Sequence, residues 1–147
     1  MSGDRHTVVV GYDGSEPSRA AIALAVGMGD HTKVVIVHAR EEPPPNPTSR
    51  WRELLDAEQD AHARAVLEAL LQEESDLLAG ASWEARLADG RPADAIPEVA
   101  REVGAGSIVV GSHGYSPATS ALLGSVSEEL VRRAAVPVTV IPPGATP

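Results

Sequence analysis

Three glycines and a serine in the last third of the chain carry its most distinctive spacing: Gly111, two residues, Gly114, nine residues, then Gly124 and Ser125. Glycine lets backbone amides approach an anion closely and adopts the positive φ that a nest of amides often needs. The chemistry that this spacing suits is phosphate binding. A second cluster, Gly11, Asp13, Gly14 and Ser15, closes the first apolar run. Both clusters stand where strands would hand over to helices, and the unpaired amides of a helix N-terminus attract anions. The formal charge is −9, from 21 acidic and 12 basic residues. A field of that sign repels nucleic-acid backbones and anionic lipid, so neither is expected as a partner. Any phosphate must be held locally.

Each of these residues has a plainer alternative. Ser125 with Glu128 forms S-x-x-E ahead of Leu130 and Val131, so the serine reads either as a helix cap or as a phosphate donor. Asp13 before Gly14 is either a turn residue or part of a site. His113 either reaches a phosphate or is a solvated loop residue. His38, at the end of an apolar run, reads as a hydrogen-bonded core histidine. His6, His31 and His62 share no ligand spacing, so no metal-ligating residue is assigned. The chain has no cysteine, which excludes disulfides, thiolate metal sites and thiol nucleophiles. Its one lysine, Lys33, lies in no G-x-x-x-x-G-K-[ST] loop, and there is no G-x-S-x-G elbow. No nucleophile and base pair is identifiable, so no catalytic residue is assigned.

The elements that must position these residues alternate along the chain. Thr7 to Val10 and Val34 to Ala39 are unbroken β-branched runs, the pattern of strands buried on both faces. Between them Ser15 or Ser18 caps an alanine-rich helix that ends near Gly27 and Gly29. The segment EEPPPNPTS holds four prolines in nine residues and reads as a surface loop. From Trp51 the residues Leu54, Leu55, Ala61, Ala65, Val66 and Ala69 follow at helical spacing, giving an amphipathic helix. Trp83, Ala85 and Leu87 alternate with polar residues, a half-exposed strand suited to a sheet edge. A helix over Pro92 to Val103 should be kinked or delayed by Pro97. Ser107 to Val110 and Val136 to Ile141 are the remaining strands. Strands alternating with helices imply a parallel α/β sheet with helices on both faces, folded as one domain over 1–147. No run approaches the roughly 18 apolar residues of a membrane helix, and the N-terminus has no leader pattern, so a cytoplasmic protein is expected.

The glycine and serine spacing resembles the signature of the ATP-binding branch of the universal stress protein family. The resemblance extends through VVVGYDGSEPSRAAIALA, VVIVHA, SIVVGSHG and VPVTVIP, nearly the whole chain. It implies an open five-stranded parallel sheet in order 3-2-1-4-5, of the adenine-nucleotide α-hydrolase or Rossmann-like type, with ATP and Mg2+ bound at the split between strands one and four. It further implies that Asp13 faces the adenosine, that Ala39, Val110 and Gly111 line adenine and ribose, and that Gly114, Gly124, Ser125 and Val126, with Ser127 beside them, meet the phosphates. A homodimer through Val138, Thr139, Val140 and Ile141, and an unnamed protein partner, belong to the same expectation. Where the family usually has alanine and aspartate before its fourth strand, this chain has Ala105-Gly106-Ser107. The function implied is ATP-dependent regulation in a stress response. The alternatives are slow ATP hydrolysis of the α-hydrolase type and a scaffolding dimer that needs no nucleotide.

Overall fold

A computed structural model of the protein describes residues 6–40, 61–62, 64–65, 67–69, 72–112 and 124–142. Within them the strands are β1 (His6–Gly11), β2 (Thr32–Arg40), β3 (Ser82–Asp89), β4 (Ser107–Gly111) and β5 (Val138–Ile141). The helices are α1 (Glu16–Val26), α2 (Ser75–Leu78), α3 (Pro92–Glu102) and α4 (Ser125–Arg133). All strands pair in parallel in one sheet, in the order β3-β2-β1-β4-β5. The proline-rich loop and the start of the helix expected from Trp51 lie outside the described residues. Residues 61–62, 64–65, 67–69 and 72–73 are helical and lead into α2.

The apolar runs become strands because both faces of the sheet are covered. On one face Val8, Val10, Val34 and Ile36 pack with Ala21, Ile22 and Ala25 of α1 and Leu78 of α2. On the other, Val9, Val35, Val37, Ile108 and Val110 pack with Ile96, Val99 and Ala100 of α3 and Leu130 of α4. Burying each large side chain of this kind stabilises the fold by about 1.5–3 kcal/mol. β3, paired on one side only, is half-buried along most of its length, as an edge strand should be.

Two local details set the helices. Ser15 is the N-cap of α1, its hydroxyl accepting from the Ser18 amide at 3.4 Å, and Gly27 is the C-cap. Pro97 does not delay the helix: α3 opens at Pro92, as expected, and runs through Pro97 to Glu102. Pro92 sits at the helix start, where no donor is needed. Pro97 costs one ladder bond, which the burial of Ile96, Val99 and Ala100 against the sheet offsets.

The chain reverses direction of winding at the centre of the sheet. β1 and β4 are neighbours, with Val10 opposite Val109. The helix after β1 covers one face, and the helix before β5 covers the other. The two strand ends therefore part above the sheet, which opens a crevice at the switch point.

Candidate functional site

That crevice is a cavity of about 300 Å³. Its apolar wall comes from Val37 and Ala39 of β2, Ile96 of α3, Val110 of β4 and Val126 of α4. Its polar rim comes from Asp13, Ser15, Ser18 and Ser112, closed by Gly124 and Ser125. Gly11 and Gly111 line it too. Of the expected site residues, Gly14 and Ser127 stand outside this lining, and His113 and Gly114 lie outside the described residues. Tyr12, Ser18, Val37, His38, Pro92, Ile96 and Ser112 line it although no motif marks them. Their common signal is position, since they sit at strand ends and helix starts on the C-terminal side of a parallel sheet.

The turn after β1 is held by short-range bonds. The Ser15 amide donates to Asp13 Oδ1 at 2.9 Å, and the Ser18 hydroxyl donates to the Ser15 carbonyl at 2.8 Å. Gly14 has φ of 85°, a conformation that side chains with a Cβ resist. Gly111 is glycine for a different reason. A Cβ there would stand 2.5 Å from Pro17 Cβ, so the bare backbone lets α1 close onto β4. A Cβ at Gly11 would meet Ile96 Cδ1 at 2.8 Å and Val110 Cγ1 at 3.0 Å, filling the space those two side chains hold at the wall.

His38 is hydrogen-bonded, as expected, but not in the core. It is half-buried at the cavity, with Nδ1 3.0 Å from the Tyr12 carbonyl oxygen. A carbonyl only accepts, so Nδ1 carries the proton of that bond.

The start of α4 corrects the capping-box expectation. Gly124, not Ser125, is the N-cap, and it has no side chain to cap with. Its φ of −76° is open to any residue, so the positive φ considered for it is absent. The first intrahelical bond runs from the Glu128 amide to the Gly124 carbonyl at 2.9 Å. The amides of Ser125, Val126 and Ser127 precede it, and helix geometry gives them no partner within α4. Ser125 is exposed at the first helical position, beside the cavity. Ser127 instead is buried, its hydroxyl within 3.0 Å of the Ser112 carbonyl and 3.1 Å of the Gly124 carbonyl. The Gly124 amide also donates to the Ser112 carbonyl. The end of β4 and the start of α4 are thereby pinned together.

Charge is arranged away from the cavity. Asp13 is the one acidic side chain among its described lining residues, with no arginine or lysine there. Residues 113–123 contain neither lysine nor arginine. The arginines engage elsewhere: Arg91 and Arg133 bridge Asp94 and Glu129, tying α3 to α4, and Arg19 pairs with the buried Glu74. No group of acidic and histidine side chains among the described residues has the arrangement of a metal site. No helix among the described residues is long and apolar enough to cross a membrane.

A model of the universal stress protein family matches residues 4–142. A universal stress protein of Thermus aquaticus, encoded 3′ of a QAH/OAS sulfhydrylase, is 32% identical over 140 residues, covering 92% of this chain and 97% of its own. Among solved structures, UspA of Lactobacillus plantarum superposes with a TM-score of 0.80 at 20% identity, over 92% of this chain and 97% of the other, a likeness of fold. A universal stress protein solved in complex with cAMP is 34% identical, with a TM-score of 0.64 over 94% of this chain and 97% of the other.

Proposed function

Because the chain belongs to the universal stress protein family, we propose that it is a single-domain regulatory protein whose crevice binds an adenine nucleotide, ATP with Mg2+, and whose surface changes with occupancy. The observation that carries this reading is the start of α4: three amides without a partner inside the helix, no side-chain cap, and Ser125 at the first position beside the cavity. α1 offers the contrast, since Ser15 already takes one of its free amides. Gly124, Ser125 and Val126, with Gly114 and His113, would hold phosphate. Ala39, Val110 and Gly111 would flank the base and ribose, with Gly11, Asp13, Gly14 and Ser15 closing the other side. Ser127 contributes by holding α4 in place. Mg2+ would supply the positive charge that the described lining of the cavity lacks. We assign no catalytic residue, and ATP acts as ligand; the partner that reads occupancy is a protein, and the assembly is a homodimer through β5.

Calorimetry and thermal shift of nucleotide-free protein test this. ATP with Mg2+ is expected to release heat and raise the melting temperature, and GTP to do so less. No response to any adenine nucleotide would leave the α4 start as a helix entry only, and the scaffolding reading would stand.

A second reading is favoured by two observations. The cavity of about 300 Å³ is at the small end of ligand pockets, and its described lining has a carboxylate and no cation. A ligand with one phosphate and one negative charge suits both, and the relative at 34% identity holds cAMP. Binding of cAMP that exceeds that of ATP with Mg2+ would select it.

A further inference from the structure

The Ser112 hydroxyl has no use that the fold accounts for. It is buried, with the residue 1% exposed, and Oγ has no hydrogen-bond partner among the described residues. Its backbone is fully engaged: the amide donates to the Ile141 carbonyl at 2.8 Å, and the carbonyl accepts from Gly124 and from the Ser127 hydroxyl. The residue cannot drift, because these bonds fix its Cα between β5 and α4.

Alternation along β4 sets the direction of its side chain. Val110 packs with α3 and α4 on the cavity side, whereas a Cβ on Gly111 would point at Pro17 of α1 on the opposite side. Successive residues face opposite ways, and the Ser112 amide continues the ladder to β5, so Ser112 returns to the side of Val110. It lines the same cavity as Gly124, Ser125 and Val126, at the start of α4, where the first three amides have no partner within the helix. A rotation about its Cα–Cβ bond between staggered wells sweeps the hydroxyl along that wall.

We propose that the Ser112 hydroxyl donates a hydrogen bond to a phosphate oxygen of the nucleotide held at the start of α4. The inference rests on the nucleotide reading above and adds a residue to it. A phosphate oxygen is the acceptor that fits, since the same anchor that places Ser112 holds Gly124, the residue just before the amides that have no partner within α4. A hydroxyl kept without a partner in a sealed position lowers stability, so its presence is explained by the bound state and not by the fold.

The test uses Ser112→Ala with AMP and adenosine as probes. The variant is expected to melt at or above the wild-type temperature, because it removes an orphaned hydroxyl. Its affinity for AMP is expected to fall by roughly tenfold or more, the effect of losing a hydrogen bond to a charged group. Adenosine, which lacks the phosphate, should bind both proteins equally. Equal loss for AMP and adenosine would overturn the phosphate contact, and so would unchanged AMP binding. A clear fall in melting temperature without ligand would show that the hydroxyl serves the fold. Wild-type protein that binds neither probe, nor ATP or cAMP, would remove the nucleotide reading itself and this inference with it.

Discussion

Ser125 and Ser15 carry the same hydroxyl at the starts of two helices and do different work. Ser15 caps α1 through the Ser18 amide, so Ser15→Ala should cost about 1 kcal/mol in chemical denaturation. Ser125 caps nothing, because Gly124 is the N-cap. Ser125→Ala should therefore weaken nucleotide binding in calorimetry while the denaturation midpoint stays within error. A loss of stability equal to that of Ser15→Ala would refute the difference. The difference was not legible in the sequence, since Ser125 with Glu128 reads S-x-x-E, a cap pattern whichever residue the helix starts from. His38 was hidden for a related reason: the run VVIVHA announces a buried strand, but not the residue at which the strand leaves the core. Glycines were legible as a pattern and not as causes. Gly14 answers to φ, whereas Gly111 answers to the closeness of Pro17.

At the scale of the element, α4 is held at its start by Ser127 and Gly124 on Ser112 and further along by ion pairs of Glu129 and Arg133. Asp94 of α3 sits between Arg91 and Arg133, with Arg133 to Asp94 at 2.7 Å. The hydrogen bond from Arg91, then that from Arg133, holds the Asp94 carboxyl below its ordinary range. A depressed carboxylate stabilises the fold above its unfolded pKa, and that contribution fades as pH falls through the folded pKa. All partners are well exposed, so the effect is small and salt weakens it. Asp94→Asn should lower neutral stability slightly at low ionic strength and converge with the wild type in acid, so that part of the acid limb of the stability profile flattens. A profile identical to wild type down to the acid transition would show that the pairs carry nothing. These contacts were not readable from sequence, because Asp94 and Arg133 are neighbours only after β4 and the crossover bring α3 and α4 side by side. The elements themselves were readable wherever apolar runs were unbroken, and α3 was readable from Pro92 onward, running on through Pro97 because burial outweighs the missing donor.

At the scale of the molecule, the sheet order followed from the resemblance and from alternating elements, while its two outer edges are treated differently. β3 has eight residues of mixed polarity, and β5 has four. Val138 and Val140 lean on the core cluster of α3 and α4, Thr139 is exposed on the other face, and Ile141 is buried. The carbonyls of Pro137 and Ile141 accept from Ile108 of β4 and from Ser112 just after it. Alternation then turns the amides and carbonyls of Val138 and Val140 outward, along an edge that no described element covers. Our expectation is that a second copy covers it. Replacing the side chains of Val138 or Val140 with charges would disturb the core as well as the edge, so the cleaner variant is Val140→Pro. Proline removes an outward amide and leaves the bonds to β4 in place, as edge strands tolerate. Wild-type protein should sediment as a dimer and Val140→Pro as a folded monomer with a retained melting transition. A monomeric wild type over the accessible concentration range would end the proposal. So would a Val140→Pro variant that remains dimeric, since the interface would then lie on another surface.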